Sequence, residues 1–244
     1  MDYVKVLAAL MKSYNGKLDG NKSIARFYAK LRDGTAKFSD LQNVAGISGD
    51  TMSALLGELF PDGIPPDAGN ALLSPAIRQS CQKILDDGVR VQRIQNQTIG
   101  LQLNPVDVVI DEQRLSGLVE HVMETGITDE AKELITNFAM SQVDDTMQAN
   151  AGFQEKSGLK VTVSREYDGV GLSGGRACQW CLDRVGSNVP YAEAKSRGMF
   201  ERHAGCRCLI EYHSERGTEK LANWNKSGWK DSDATLKRRR TIGL

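Results

Sequence analysis

The sequence predicts a mainly α N-terminal region followed by a small α+β module near its C-terminal end. Three observations carry that prediction. Apolar residues recur at helical spacing through the first two-thirds of the chain. The pattern changes to alternation at Leu159, and four of the five cysteines then crowd into residues 178–208 with a histidine. The expected divisions are a helical region over 1–155, the module over 156–213 and an extended basic tail over 214–244.

In order, Val4, Leu7, Leu10, Met11 and Tyr14 mark a first amphipathic helix, expected to end at Asn15-Gly16. Ile24, Phe27, Tyr28 and Leu31 mark a second, ending at Asp33-Gly34. The stretch from Phe38 to Phe60 reads as helix in two pieces, broken near Gly46 and Gly49, and stops at the Pro/Gly-rich segment Pro61 to Pro66. Ser74 as N-cap with Pro75 behind it starts a helix running to about Asn96, with Gly88 a weak point inside it. Pro105 ends that region, and Asp111 to Thr125 is the next helix. Thr128, followed by Asp129 and Glu130 at the positive end of the macrodipole, caps the strongest helix of the chain, to about Phe153. Leu159, Val161 and Val163 alternate as a strand ending at Arg165. Glycines 169, 171, 174 and 175 make a loop, and Leu209 to Tyr212 is a second strand.

Composition narrows the function classes. The 31 basic and 31 acidic residues cancel, so no overall field draws the chain to nucleic acid or anionic membrane. No run approaches the ~18 apolar residues of a bilayer span. The first apolar stretch, Val4 to Met11, is interrupted by Lys5 and lacks a cleavage site. The expectation is a soluble chain made in a reducing cytosol, with neither membrane nor small-molecule substrate as partner, whose cysteines are thiols or ligands.

The cysteine pattern is Cys178-x2-Cys181, a spacer, then His203-x2-Cys206-x-Cys208. A C-x2-C pair on a tight turn aims two sulfurs at one point, as tetrahedral zinc requires at about 2.3 Å per thiolate. Gly205 permits a similar knuckle between His203 and Cys206. Five candidates compete for four positions. Cys178, Cys181, His203 and Cys206 are favoured, with Cys208 the substitute for Cys206 or His203. Four protein ligands leave no open position, so one structural Zn2+ per chain is expected. Unmetallated thiols are the plain alternative, and Cys81 reads as a small apolar residue on a helix face.

Other features point to weaker readings. Leu41 to Leu56 looks like a helix-turn-helix, which with the tail would make a DNA-binding protein; its second helix carries Asp50 and Glu58 but no Lys or Arg. The tail holds eight basic and four acidic residues, including the run Lys237-Arg238-Arg239-Arg240. His121, His203 and His213 form no triad with a nucleophile elbow, and no phosphate-binding lysine follows the glycines, so no catalytic residue is assigned and no enzyme is expected. A metal-dependent nuclease on the cysteine cluster would have only Glu211 and His213 nearby as bases.

The segments Cys178-Gln-Trp180-Cys181-Leu-Asp-Arg184-Val-Gly186, Tyr191-Ala-Glu, Arg202-His203-x-x-Cys206-x-Cys208 and Tyr212 together resemble the C-terminal motif of minor capsid proteins. These belong to tailed phages and prophages of Gram-positive hosts and are related to the Mu-type head morphogenesis proteins. Val143-Asp144-Asp145-Thr146 through Ala151, and Lys156-x-Gly158-Leu159, are similar to the segment preceding that motif, and Tyr28 to Phe38 matches more loosely. The resemblance implies a structural virion component at the head interior or portal vertex, assembled in the host cytoplasm. It implies portal or major capsid protein as partner and a role in head assembly or DNA ejection. Packaged DNA is a second partner to expect for the basic tail.

Overall fold

The computed structural model describes residues 2–167 and 178–215. The expected glycine loop and the expected basic tail beyond residue 215, with its Lys237–Arg240 run, lie outside the described residues, while Ser214 and Glu215 belong to a strand and not to an extended tail. The helical elements are α1 Tyr3–Asp19, α2 Lys22–Arg32, α3 Phe38–Leu59, α4 Ser74–Thr98, α5 Glu112–Thr125 and α6 Asp129–Lys156. The C-terminal part holds β1 Lys160–Glu166, a single turn α7 Gln179–Leu182, β2 Gly186–Pro190, α8 Tyr191–Ser196 and β3 Leu209–Glu215. The fold is therefore mainly α with a small three-stranded sheet, as the sequence predicts.

α6 is the axis. Ala131, Ile135, Phe138, Ala139, Met140, Val143, Met147 and Ala151 are all buried, so the helix is enclosed on most sides, with α3 and α4 laid along it. Thr128 caps it as expected, its hydroxyl accepting from the Ala131 amide at 3.2 Å.

Three expected breaks do not occur, each for a packing reason. α1 continues past Asn15-Gly16 because Leu18, one turn beyond Tyr14, is buried beside it. α3 is one continuous helix, so the helix-turn-helix corner over 41–56 is not formed. Leu41, Val44, Ala45, Met52 and Ser53, which such a corner would partly expose, are buried. Gly49 supplies a close crossing instead of a break: a Cβ there would lie 2.5 Å from the Thr136 Cα on α6. Gly88 plays the same part on α4, where a Cβ would lie 3.2 Å from the Thr146 Cγ2. Ser74 is also not a cap, since its φ of −58° and ψ of −50° are already helical. A π-helical turn at Gly69–Leu73 feeds the helix from upstream, drawn in by the buried Leu72 and Leu73.

The sheet has the order β2-β1-β3 with both pairings antiparallel. Val161 and Val163 of β1, Val189 of β2, and Ile210 and Tyr212 of β3 belong to the same apolar cluster as the helices. The helical region and the module thus share one core across residue 155. A polar seam reinforces the join: the Tyr212 hydroxyl donates to Gln92 on α4 at 2.5 Å, and Gln154 on α6 and Gln92 both donate to Asn96 at 2.8 Å.

Candidate metal centre

The two halves of the cysteine pattern are shaped by their local backbone. Cys178 opens the single turn α7, and the Leu182 amide donates to the Cys178 carbonyl at 3.0 Å. One helical turn sets Cys178 and Cys181 on the same face. In the second half, Gly205 takes a φ of 72° and the Cys206 amide donates to the His203 carbonyl at 3.0 Å. That is the tight knuckle the sequence predicts, and it needs glycine because the left-handed region costs other residues a Cβ clash.

The structure brings all five predicted residues together. They fall into two triplets that share Cys181: Cys178, Cys181 and His203, and Cys181, Cys206 and Cys208, with the ligand atoms of each triplet within 4.8 Å of one another. Either group could hold a metal ion. The Cys181 and Cys206 sulfurs are 3.8 Å apart, and two thiolates on tetrahedral zinc at about 2.3 Å each stand about 3.8 Å apart. His203 presents Nε2 to Cys181 at 3.0 Å while Nδ1 lies 2.7 Å from the Ala204 carbonyl. A carbonyl only accepts, so Nδ1 carries the proton and Nε2 keeps its lone pair for a ligand bond. Trp180 packs edge-on against His203 at 5.0 Å and is covered by the Arg184 guanidinium at 3.7 Å.

Ionisation differs between the clustered thiols. The Cys206 thiol is pushed down to about 4, first by a hydrogen bond from Cys208 and then, against burial, by the Arg202 and Arg165 guanidiniums. The hydrogen bond to Cys206 raises Cys208, and burial raises Cys181. Cys206 is thus the ionised member of its pair, with Cys208 holding the proton.

Two arginines that sequence reasoning did not assign to the site support it. Arg165 follows Val161 and Val163 on the inward face of β1 and is fully buried. It donates to the Met199 and Glu201 carbonyls at 2.9 and 2.6 Å and to the Cys206 sulfur at 3.2 Å. The signal for it was a charge at the next inward position of an alternating strand. Arg202, adjacent to His203, forms an ion pair with Asp144 on α6 in which the side chains are 2% and 0% exposed. Its Nη2 lies 3.0 Å from Asp144 Oδ1, and its Nη1 donates to the Cys208 carbonyl at 3.0 Å. Burial opposes the Arg202 charge, but Asp144 outweighs burial and its proton is held more tightly than usual.

Further ties run from the same knuckle to the helices. Gln42 on α3 donates to Asp144 at 3.2 Å and to the Ile210 carbonyl at 3.0 Å, and accepts from the Ile210 amide at 3.1 Å. Asn137 donates to the His203 carbonyl. Arg207 reaches Asp50 on α3 at 3.0 Å and Glu133 on α6 at 3.2 Å. Glu211 and His213, the bases a nuclease on this cluster would use, line a separate groove with Thr35, Ile94 and Ile99, into which no cysteine projects. Among the described residues no helix is long and apolar enough to cross a membrane. No protein-family model, no curated protein and no solved structure matches the chain.

Proposed function

We propose that the cluster holds one structural zinc and that the chain is a structural minor head protein of a tailed phage. In this reading it sits at the portal or the inner capsid surface and assists head assembly or DNA ejection. One observation carries it: two of the segments that resemble the phage family, 143–151 and 202–208, meet in the buried Asp144–Arg202 pair. The motif then serves architecture, fixing a metal-bound knuckle to the central helix.

The donor chemistry fits zinc. The favoured four do not form one compact group, since Cys206 lies in the triplet with Cys181 and Cys208 and would have to close on an ion held by Cys178, Cys181 and His203. As three thiolates with neutral His203 the set leaves one net negative charge around a divalent ion. The buried Arg165, on the Cys206 sulfur, offsets that charge, while the Arg202 charge is matched by Asp144. With four protein ligands the ion has no position for water, so its role is to hold backbone together and no catalytic step is assigned to it. The basic tail supplies a contact for packaged DNA or for an acidic face of portal or capsid protein.

Two measurements test the two parts. Metal analysis of protein purified without chelator is expected to give about one zinc per chain; less than about a tenth of that overturns the zinc. Tagged chain produced with the head proteins of a phage that encodes it is expected to co-purify with portal protein and to appear in mature particles. Absence from both overturns the head assignment, whatever the metal content.

A further inference from the structure

We propose that the cysteine cluster is also a two-ion site for a soft monovalent metal, Cu(I), with the Cys181 thiolate shared between the ions. This rests on the cluster being a metal site and goes beyond the single zinc. The five donors divide into two triplets of compact geometry, Cys178/Cys181/His203 and Cys181/Cys206/Cys208, each within 4.8 Å. Three donors placed in a plane at about 2.3 Å from an ion stand about 4 Å apart, which either triplet accommodates.

The identity of the shared residue matters. A thiolate sulfur keeps lone pairs after its first metal bond and can bridge, whereas a neutral imidazole has a single ring lone pair and cannot. The common member is Cys181, not His203. Coordination number then selects the ion. Zinc takes four ligands, and two tetrahedral sites sharing one ligand need more donors than this cluster holds. Two trigonal sites sharing one ligand need the five that are present. Thiolates are soft donors that suit both Cu(I) and zinc, so it is the count of five donors in two triplets that points to a pair of three-coordinate Cu(I) ions.

The surroundings suit such a pair. Cys181, Cys206 and Cys208 are 1%, 2% and 1% exposed, so water is kept from competing with sulfur. Two monovalent ions leave the thiolates with excess negative charge, and the Arg165 guanidinium lies 3.2 Å from the Cys206 sulfur to offset part of it. Binding needs no redox step: the metal enters as Cu(I), the Cys206 thiolate binds it directly, each of the other ligating thiols exchanges its S–H bond for a sulfur–metal bond, and their protons pass to buffer.

The test is an anaerobic titration of the reduced, metal-stripped full chain with Cu(I) supplied as its acetonitrile complex, read by native mass spectrometry. Saturation at about two Cu(I) per monomer is expected. Cys208→Ser removes the second triplet and is expected to take about one Cu(I) while still taking about one zinc. Cys178→Ser, which opens the other triplet, is the second variant and should also fall to about one Cu(I). Wild-type saturation at a single Cu(I), or a Cys208→Ser chain that still takes two, overturns the proposal. A wild-type chain that binds zinc but only one Cu(I) removes the two-ion site and leaves the zinc reading intact. One that binds neither removes both.

Discussion

At the scale of single residues, Asp144 and Arg202 carry more than their surface neighbours can. Exposed pairs such as Lys17–Glu58 contribute about 0–1 kcal/mol because solvent screens them. Removing one member of a buried pair leaves an uncompensated charge and costs about 3–5 kcal/mol. Asp144→Asn is therefore expected to lower unfolding free energy by that amount in urea titration, with Lys17→Ala near neutral. Cys81 behaves differently from Cys206. Burial pushes its thiol up to about 12, so almost none is thiolate at pH 8. Iodoacetamide is expected to leave Cys81 unmodified in the native chain and to label it after denaturation, as peptide mass mapping would read.

At the scale of elements, the close crossing of α3 on α6 depends on Gly49. Gly49→Ala puts a methyl group against the Thr136 backbone, and overpacking of this kind costs about 1–3 kcal/mol. Because alanine has the better helix propensity by about 1 kcal/mol, a stabilised variant in thermal unfolding would show that the helices separate freely. The same glycine explains what the sequence could and could not disclose. Helical spacing at Ile24, Phe27 and Leu31, and the Thr128 cap, report local chemistry and were legible. Gly49 and Gly88 are helix breakers by propensity and crossing points by tertiary contact, and only the partner helix distinguishes the two. The cysteines, His203 and Gly205 were legible from spacing. Arg165 was read as the end of a strand because its partners, Met199, Glu201 and Cys206, lie more than thirty residues away.

At the scale of the whole molecule, the sheet and the helices share a core while the cysteine cluster is a separate, smaller patch packed with Trp180 and Tyr167. Removal of the proposed metal should therefore loosen the two knuckles, 178–182 and 203–208, and leave the helices, β2 and α8 in place, since Val189, Tyr191 and Phe200 pack in the main core. At a free zinc concentration about a thousand times its dissociation constant, binding supplies about 4 kcal/mol. For a chain of this length that corresponds to a fall of about 8–16 °C in Tm on chelation. Scanning calorimetry with and without chelator reads the shift, and retained far-UV helical ellipticity at 25 °C is expected in both states. Loss of the helical signal on chelation would place the metal at the foundation of the fold instead of at its edge.

The Gln42 amide, which pairs with both backbone groups of Ile210, spans 168 residues of sequence. During synthesis α3 emerges long before β3, so this slot stays open to water until nearly all the described chain has been made. With the helices up to Lys156 already packed, the free segment is the stretch from there to β3, and closing it costs about 3–4 kcal/mol of chain entropy, recovered only once the strand docks. Docking of β3 is accordingly a late event in folding. A nascent helical body would carry, in Gln42, Asp144 and Asp50, a set of polar receptors already shaped for the strand and the knuckle that arrive last.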